Sequence, residues 1–600
     1  MASFVNAMAK THGFTPNEKG VAAYTDKGVK SNKVGYEGSQ MVALYNRLIG
    51  SRSKSKCGIT RENLITLFNS CYKDILQIQE PETKKDCLTK LITIVFETRD
   101  IKLGKGERDL FYWLFLRLFE DFPSTSVNMI SLVTGGADEV LEVKLDDEPL
   151  GSFKDVNRLC EIMSEDKTDK YEDLEEALIN HYVFNLSKDA NADKAGLAGK
   201  WAPRENKETD KKCGLAKKIA KRLSNKKKVQ EQLKDYRKLI ASLNDKINTP
   251  EVKMCSKERS NWGQLEIFHF ASKAFNKYKK ALLDVNKKGE RKNPNDIYRE
   301  KVRNKVLAEF EKIKEDPSKS RLNVGKLQSY EIVQEILNGN IRTNEDINMV
   351  NSIWKKYVSD FKSELMGNFV PGVSLVDVSG SMSNVMPMAI SLGLLTAELM
   401  EGPFKDKVLL FTDDAQWFDL SVADNLYDKT KLLASAAWSG STNLSAGIDN
   451  ILTVGVESKV LQEDMPAALY IYSDMMFNQA DNSCGGYYSN YGMNHIKSIN
   501  KYTGKWADNH DCLKEAYKKA GYEIPLIVYW NLRDSGSNIC KSDTPGCVCL
   551  SGFSANLLKA FFRAEFDFTI TPYEGLCSKL EDSRYQPIRD IIELCSELDK

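Results

Sequence analysis

The sequence predicts a multidomain chain, an N-terminal all-α array of stacked helices followed by an α/β domain built on a parallel sheet. Three observations lead there. The chain has 600 residues, too many for one hydrophobic core. From about 41 to 119, apolar residues recur at threes and fours with no strand signal. Beyond about 367, short β-rich apolar runs alternate with amphipathic segments.

The elements follow in chain order. Residues 1–40 are polar and Gly-rich, which predicts a flexible arm. Residues 41–366 form the helical domain, opened by "MVALYNRLIG", "ENLITLFNSCYKDILQIQ", "DCLTKLITIVFETRDI" and "ERDLFYWLFLRLFED". Short polar gaps between such segments predict antiparallel helix pairs, a HEAT-like α-solenoid without a strict sequence period. Residues 367–600 form the α/β domain. There "VSLVDV", "KVLLFT", "AALYIYSDM", "IPLIVYWNL" and "GCVCLSG" are expected strands. The segments "VMPMAISLGLLTAELMEG", "STNLSAGIDNILTVG", "DCLKEAYKKAGY" and "NLLKAFF" are expected helices.

Composition excludes little. The net charge of +1 points to no partner by itself. No run of eighteen apolar residues exists, and "MASFVNAMAK" lacks a signal-peptide core. A soluble cytoplasmic protein with no membrane partner is the expectation. The thirteen cysteines are scattered and expected to be reduced. Cys547 and Cys549 form a lone CxC, better read as small apolar residues in or beside a strand than as a metal site.

Charge is patterned locally. Residues 138–178 include two acidic runs. Residues 200–230 hold twelve Lys or Arg against three Asp or Glu, and residues 277–305 hold eleven against four. Trp201, Tyr278 and Tyr298 lie among these basic residues. Basic clusters with interleaved aromatics suit phosphate contact and base stacking, which makes Lys200, Arg204, Lys217, Lys218, Lys221, Arg222, Lys279 and Lys280 candidate RNA contacts. The alternative is a solvated lysine-rich helix face. "GKGERD" (104–109) lacks the spacing of a phosphate loop and follows a helix. Gly104 and Gly106 are expected to make an interhelical turn with Arg99, Lys105 and Arg108 exposed beside it. Those three either meet RNA or pair with Asp100, Glu107 and Asp109.

Asp377, Ser379 and Ser381 follow the first expected strand. Thr442 precedes a later helix, and Asp474 ends the strand "LYIYSD". Loops at the carboxyl ends of parallel strands emerge on one edge, so the five side chains can converge. Two carboxylates and three hydroxyls suit a hard cation, Mg²⁺ or Mn²⁺ and less well Ca²⁺. A cation held by so little formal charge would seek a carboxylate from a partner. Helix N-capping would account for one of the serines but not for the two aspartates.

Asp377-x-Ser379-x-Ser381, then Thr442 in "GSTNL" and Asp474 in "YSDM", resembles the metal-ion-dependent adhesion site of von Willebrand factor A domains. That resemblance implies a Rossmann-like α/β fold and those five residues as metal ligands. The order of helical array and α/β domain resembles the Ro ribonucleoprotein family, the TROVE-module proteins. It is closer still to an uncharacterised domain-of-unknown-function family of plants and large DNA viruses. The strings that carry this are "TRDIKLGKGERDLFYWL" (98–114), "LAGKWAPREN" (197–206), "YSDMMFNQA" (472–480) and "WNLRDS…PGCVCLSGFSANLLK" (530–559). The Ro resemblance implies a helical ring that takes single-stranded RNA ends or small structured RNA, with Arg99, Lys105 and Arg108 lining its interior. The acidic segment and "KNPNDIYREKVRNK" depart from it. A viral source would admit the virion as well as the cytoplasm.

No nucleophile elbow, HExxH, Walker loop or kinase set occurs, so no enzymatic activity is expected. The leading expectation is an RNA-binding ring whose metal site takes an acidic ligand or partner. The competing one is a metal-dependent interaction protein or particle component without RNA. The terminal segment "SRYQPIRDIIELCSELDK" places Ile588, Ile591, Ile592, Leu594 and Leu598 at helical spacing. Such a helix must dock, either on the first helices of the array, as ring closure would require, or on "EDINMVNSIWKKYVSDFKSELM".

Overall fold

The computed structural model describes residues 40–51, 58–136, 149–166, 168–365, 369–412, 414–436, 442–475, 509–534, 544–563, 570–595 and 598. The expected N-terminal arm, most of the first acidic run and the "MFNQA" string lie outside them. The chain is helical toward the N-terminus and carries a mixed α/β sheet toward the C-terminus. It divides into two compact units.

The sheet unit comprises Met1–Thr60, Phe310–Ser320 and Leu327–Lys579. Its strands are β1 (Gly372–Asp377), β2 (Lys407–Phe411), β3 (Ala415–Asp419), β4 (Ala468–Ser473), β5 (Leu526–Asn531) and β6 (Cys547–Ser551). The order is β3-β2-β1-β4-β5-β6. All pairings are parallel except β2 with β3. β1, β4 and β5 are buried along their whole length, which is why each reads as an unbroken apolar run. The antiparallel edge strand β3, "AQWFD", is short and half polar, and its sequence carries no strand signal.

Successive strand residues face opposite sides of the sheet. Val376 meets the Met386–Leu399 helix so closely that a Cβ at Gly393 would lie 2.6 Å from its Cγ2. Leu375 faces the other way and meets Gly447 of the Leu444–Glu457 helix. Those two helices therefore cover opposite faces of β1.

Two helices expected in the array lie with the sheet instead. Ser329–Leu337 and Asn344–Glu364 pack on the Met386–Leu399 and Leu426–Ala434 helices. Trp354 Nε1 donates to Glu398 at 3.0 Å. The helix Gln40–Arg47 packs on β6, where Ser551 Oγ donates to the Tyr45 carbonyl at 2.9 Å. Its Arg47 forms a forked pair with Asp534, with contacts of 2.7 and 3.1 Å.

The helical unit comprises Arg61–Glu309, Arg321–Lys326 and Leu580–Lys600. Helices Arg61–Leu76, Pro81–Arg99 and Arg108–Asp121 pack on one another through Phe68, Phe96, Phe111 and Phe115, all buried. The terminal helix Gln586–Leu594 docks on Pro81–Arg99 and on Pro123–Asn128. Ile588, Ile591, Ile592 and Leu598 are buried, whereas Leu594 is exposed.

The string "TRDIKLGKGERD" builds the joint of this unit. The helix ends at Arg99, and the next turn folds back over its last carbonyls. Lys105 N donates to Glu97 O at 3.3 Å and Glu107 N to Thr98 O at 2.8 Å. A Cβ at Gly104 would lie 2.0 Å from Glu97 O, and Gly106 has φ +68°, so the turn needs both glycines. Asp100, fully buried, accepts from Arg584 and Tyr585 of the C-terminal segment.

Candidate metal centre

β1 and β4 are neighbours at the centre of the sheet, although β2 follows β1 in the chain. Strand order reverses between them, and ligands of such sheets sit in the crevice beyond the strand carboxyl ends there. Asp377 is the last residue of β1, and Asp474 directly follows β4. Both are fully buried.

Main-chain bonds fix the loops around them. Val378 N donates to Phe411 O at 3.1 Å, extending the β1–β2 pairing by one residue. Asn443 N donates to Thr412 O at 2.8 Å, which ties the Thr442 loop to the end of β2. Asn443 then caps the Leu444–Glu457 helix through its side chain. Met475 turns the chain after Asp474 with φ +61°, and its N–H donates to Ser473 Oγ at 3.0 Å.

Hydrogen bonds link four of the five residues expected to converge, Asp377, Ser379, Ser381 and Thr442, and Asp474 stands near enough for its charge to act on Asp377. Ser379 N donates to Asp377 Oδ1 at 2.9 Å. The Ser379 and Ser381 hydroxyls lie 3.1 Å apart, and Thr442 Oγ1 donates to Ser379 Oγ at 3.0 Å. Two participants are not apparent from the motif. Ser473 Oγ donates to Asp377 Oδ2 at 2.5 Å and so orients the buried carboxylate. Arg533, just past β5, donates from Nη1 to the Ser381 carbonyl at 3.1 Å and stands 3.7 Å from Asp474 Oδ2. The signal for Arg533 was its place at the end of the strand beside β4.

Burial first, then the charge of Asp474, pushes the Asp377 carboxyl above the usual carboxylate range, against the hydrogen bonds from Ser473 and Ser379. Two carboxylates sequestered together, with hydroxyls around them, are the donor set that a hard cation would relieve. The residues therefore fit the expected group. Among the described residues, no cluster of three or more His, Cys, Asp or Glu is arranged for a metal. A site here would rest on hydroxyls as well as carboxylates. Cys547 is buried in β6, where its Sγ donates to Thr544 O at 3.2 Å, and Cys549 is half-buried there.

The candidate RNA contacts have mixed surroundings. Arg99 was expected at the surface of its turn. It is buried instead, with Nε and Nη2 on Asp155 at 3.0 and 2.8 Å. Lys105 is buried as well, because the turn lies flat on the helix end, and Arg108 is exposed. Lys279 is buried and donates to Asn276 at 2.7 Å, and Lys280 is half-buried. Lys200 lies over the Trp201 ring at 5.8 Å. On the Leu215–Leu223 helix, Lys218 pairs with Glu175 at 2.6 Å and Arg222 with Glu176 at 2.5 Å. Arg204, Lys217 and Lys221 are exposed.

Among the described residues, no helix is long and apolar enough to cross a membrane. No solved structure matches the chain. An uncharacterized protein of Acanthamoeba polyphaga mimivirus, L728, is 28% identical over 515 residues, spanning 82% of this chain and 80% of the viral protein. That relative accords with the resemblance to a family found in large DNA viruses. Residues 372–584, from the first residue of β1 to the arginine that grips Asp100, match the family described as Domain of unknown function (DUF7788).

Proposed function

We propose that the sheet unit is a binding module of the von Willebrand factor A kind, which captures an acidic group of a protein partner through a divalent cation. One observation carries this reading: two fully buried carboxylates, Asp377 and Asp474, stand close enough for one charge to act on the other where strand order reverses, with the linked hydroxyls of Ser379, Ser381 and Thr442 beside Asp377. Asp377, Ser379, Ser381, Thr442 and Asp474 would hold Mg²⁺ or Mn²⁺, with Ca²⁺ the poorer fit. When bound, the cation would supply an electrophilic position for a carboxylate oxygen. Ser473 and Ser379 N–H keep Asp377 aimed, and the Thr442–Ser379–Ser381 hydroxyl chain fixes the neighbouring oxygens. With both carboxylates committed to the cation, the described residues of the site supply no general base, and the role proposed is binding.

The test is retention of the full chain on an immobilised glutamate-rich peptide. Retention that needs Mg²⁺ and is lost with a chelator and in Asp377→Ala supports the reading. Retention indifferent to both overturns it.

A second reading follows the Ro resemblance and gives the helical unit an RNA-binding role. Its support is the exposure of Arg204, Lys217 and Lys221. The burial of Arg99, Lys105 and Lys279 narrows the set of contacts, which is why the cation-dependent reading comes first. For either role the proposed setting is the cytoplasm, or the virion for a viral chain.

A further inference from the structure

Arg533 is a charged candidate-site group that neither the motif nor the proposed ligand set uses. Three contacts fix its place. Its N–H donates to Asn531 Oδ1 at 3.0 Å, its Nη1 donates to Ser381 O at 3.1 Å, and the same nitrogen lies 3.7 Å from Asp474 Oδ2. The next residue, Asp534, is gripped by both fork nitrogens of Arg47 at 2.7 and 3.1 Å. Arg47 ends a helix that is itself anchored, through Tyr45, on Ser551 of β6 and on Lys579. A braced loop thus carries the guanidinium, and its bond to the Ser381 carbonyl places it beside Asp474.

Among the described residues, the charges placed at the site are the two aspartates and this guanidinium. A divalent cation entering between the aspartates would meet a positive charge already beside Asp474; the Arg533 side chain is 34% exposed, but Asp474 is fully buried, so solvent screens the repulsion only in part. We infer that Arg533 competes with the divalent cation for Asp474, so that it holds cation affinity down and leaves the loaded site with one net positive charge for an acidic ligand. This rests on the cation-binding reading given above. Arg533 is then a tuning residue. Alone it balances one of the two carboxylates. With the cation present, its charge becomes the excess that draws a carboxylate in.

The neutral variant Arg533→Gln should therefore do two opposite things. Mg²⁺ alone, titrated calorimetrically into the full chain, should bind about tenfold more tightly or better than in wild type. Retention on the glutamate-rich peptide at saturating Mg²⁺ should weaken. Arg533→Lys, which keeps the charge, should stay near wild type in both, and it separates charge from packing. If wild type takes up no Mg²⁺ but Arg533→Gln does, the competition is shown in its strongest form. If wild type binds Mg²⁺ and the neutral variant binds it no tighter, the cation site stands and the competition is overturned. If neither binds Mg²⁺ while both melt as folded proteins, the cation reading itself fails, and this inference with it.

Discussion

Arg584 grips Asp100 with two hydrogen bonds, Nε to Oδ2 at 2.7 Å and Nη2 to Oδ1 at 2.6 Å, and both side chains are buried. Tyr585 Oη adds a third contact to the same carboxylate at 3.2 Å, and the N–H groups of Lys102 and Leu103 add two more. Asp100 thereby joins the end of one helix to the start of the terminal one. Removing one member of a buried, hydrogen-bonded ion pair leaves the other uncompensated, at a cost of about 3–5 kcal/mol. Arg584→Gln should lower the unfolding free energy of the helical unit by that order in denaturant titrations. Truncation at Asp582 should also strip amide protection from Pro81–Arg99 and Pro123–Asn128, where the terminal helix docks. Full protection of those helices in the truncated chain would show that the terminal helix does not hold them.

Gly104 makes a second test of the same joint. A methyl group there would sit 2.0 Å from the Glu97 carbonyl oxygen, which is backbone and cannot swing aside. Gly104→Ala should destabilise by about 1–3 kcal/mol or more, the range of forced overpacking. An unchanged melting temperature would mean that the turn rearranges freely.

The basic helix Leu215–Leu223 should behave as a phosphate contact if the RNA reading holds. Reversing Lys217, Lys218, Lys221 and Arg222 to Glu should weaken single-stranded RNA binding for every sequence, and should flatten the salt dependence by roughly one power per lost contact. Lys218 and Arg222 already face Glu175 and Glu176, so most of the effect should come from Lys217 and Lys221. If the quadruple variant binds RNA as wild type does, the helix presents a solvated face.

The raised Asp377 carboxyl predicts a pH signature of the cation-free protein. The folded state holds this proton more tightly than the unfolded chain does, so its contribution to stability is present at low pH. That contribution is lost as pH rises from the ordinary carboxylate range toward neutrality. Melting temperatures should show this decline without divalent cations, and saturating Mg²⁺ should remove it. A decline that persists unchanged in Mg²⁺ would place its origin elsewhere.

How much of this was legible in the sequence differs by element. β1, β4 and β5 were readable because full burial makes each an apolar run, and Asp377, Ser379, Ser381, Thr442 and Asp474 were readable because parallel strands bring their carboxyl ends to one edge. β3 was not, because an antiparallel edge strand needs only one apolar pair, Trp417 and Phe418, to hold it. Ser473 and Arg533 were missed because their roles come from which strands are neighbours, a fact no local pattern encodes. The surface expectation for Arg99 failed on a long-range partner. Asp155 lies 56 positions away and opens its own helix with a capping box, so neither the pair nor the burial could be read from "TRDIKLGKGERD" alone. The expected boundary near 367 likewise followed a change of periodicity, whereas the helices Ser329–Leu337 and Asn344–Glu364 lie with the sheet through side chains such as Trp354 on Glu398.

The most direct test of the central claim is calorimetric titration of Mg²⁺ into the metal-free full chain, with Asp377→Ala alongside. The sheet of that variant should stay folded, since β1 keeps its register with β2 and β4 through backbone bonds. Wild type should take up one equivalent of Mg²⁺, and Asp377→Ala should take up none at the same concentrations. Equal uptake by the two proteins, or no uptake by wild type and by Arg533→Gln alike, would contradict the assignment of Asp377 and its neighbours as a cation site.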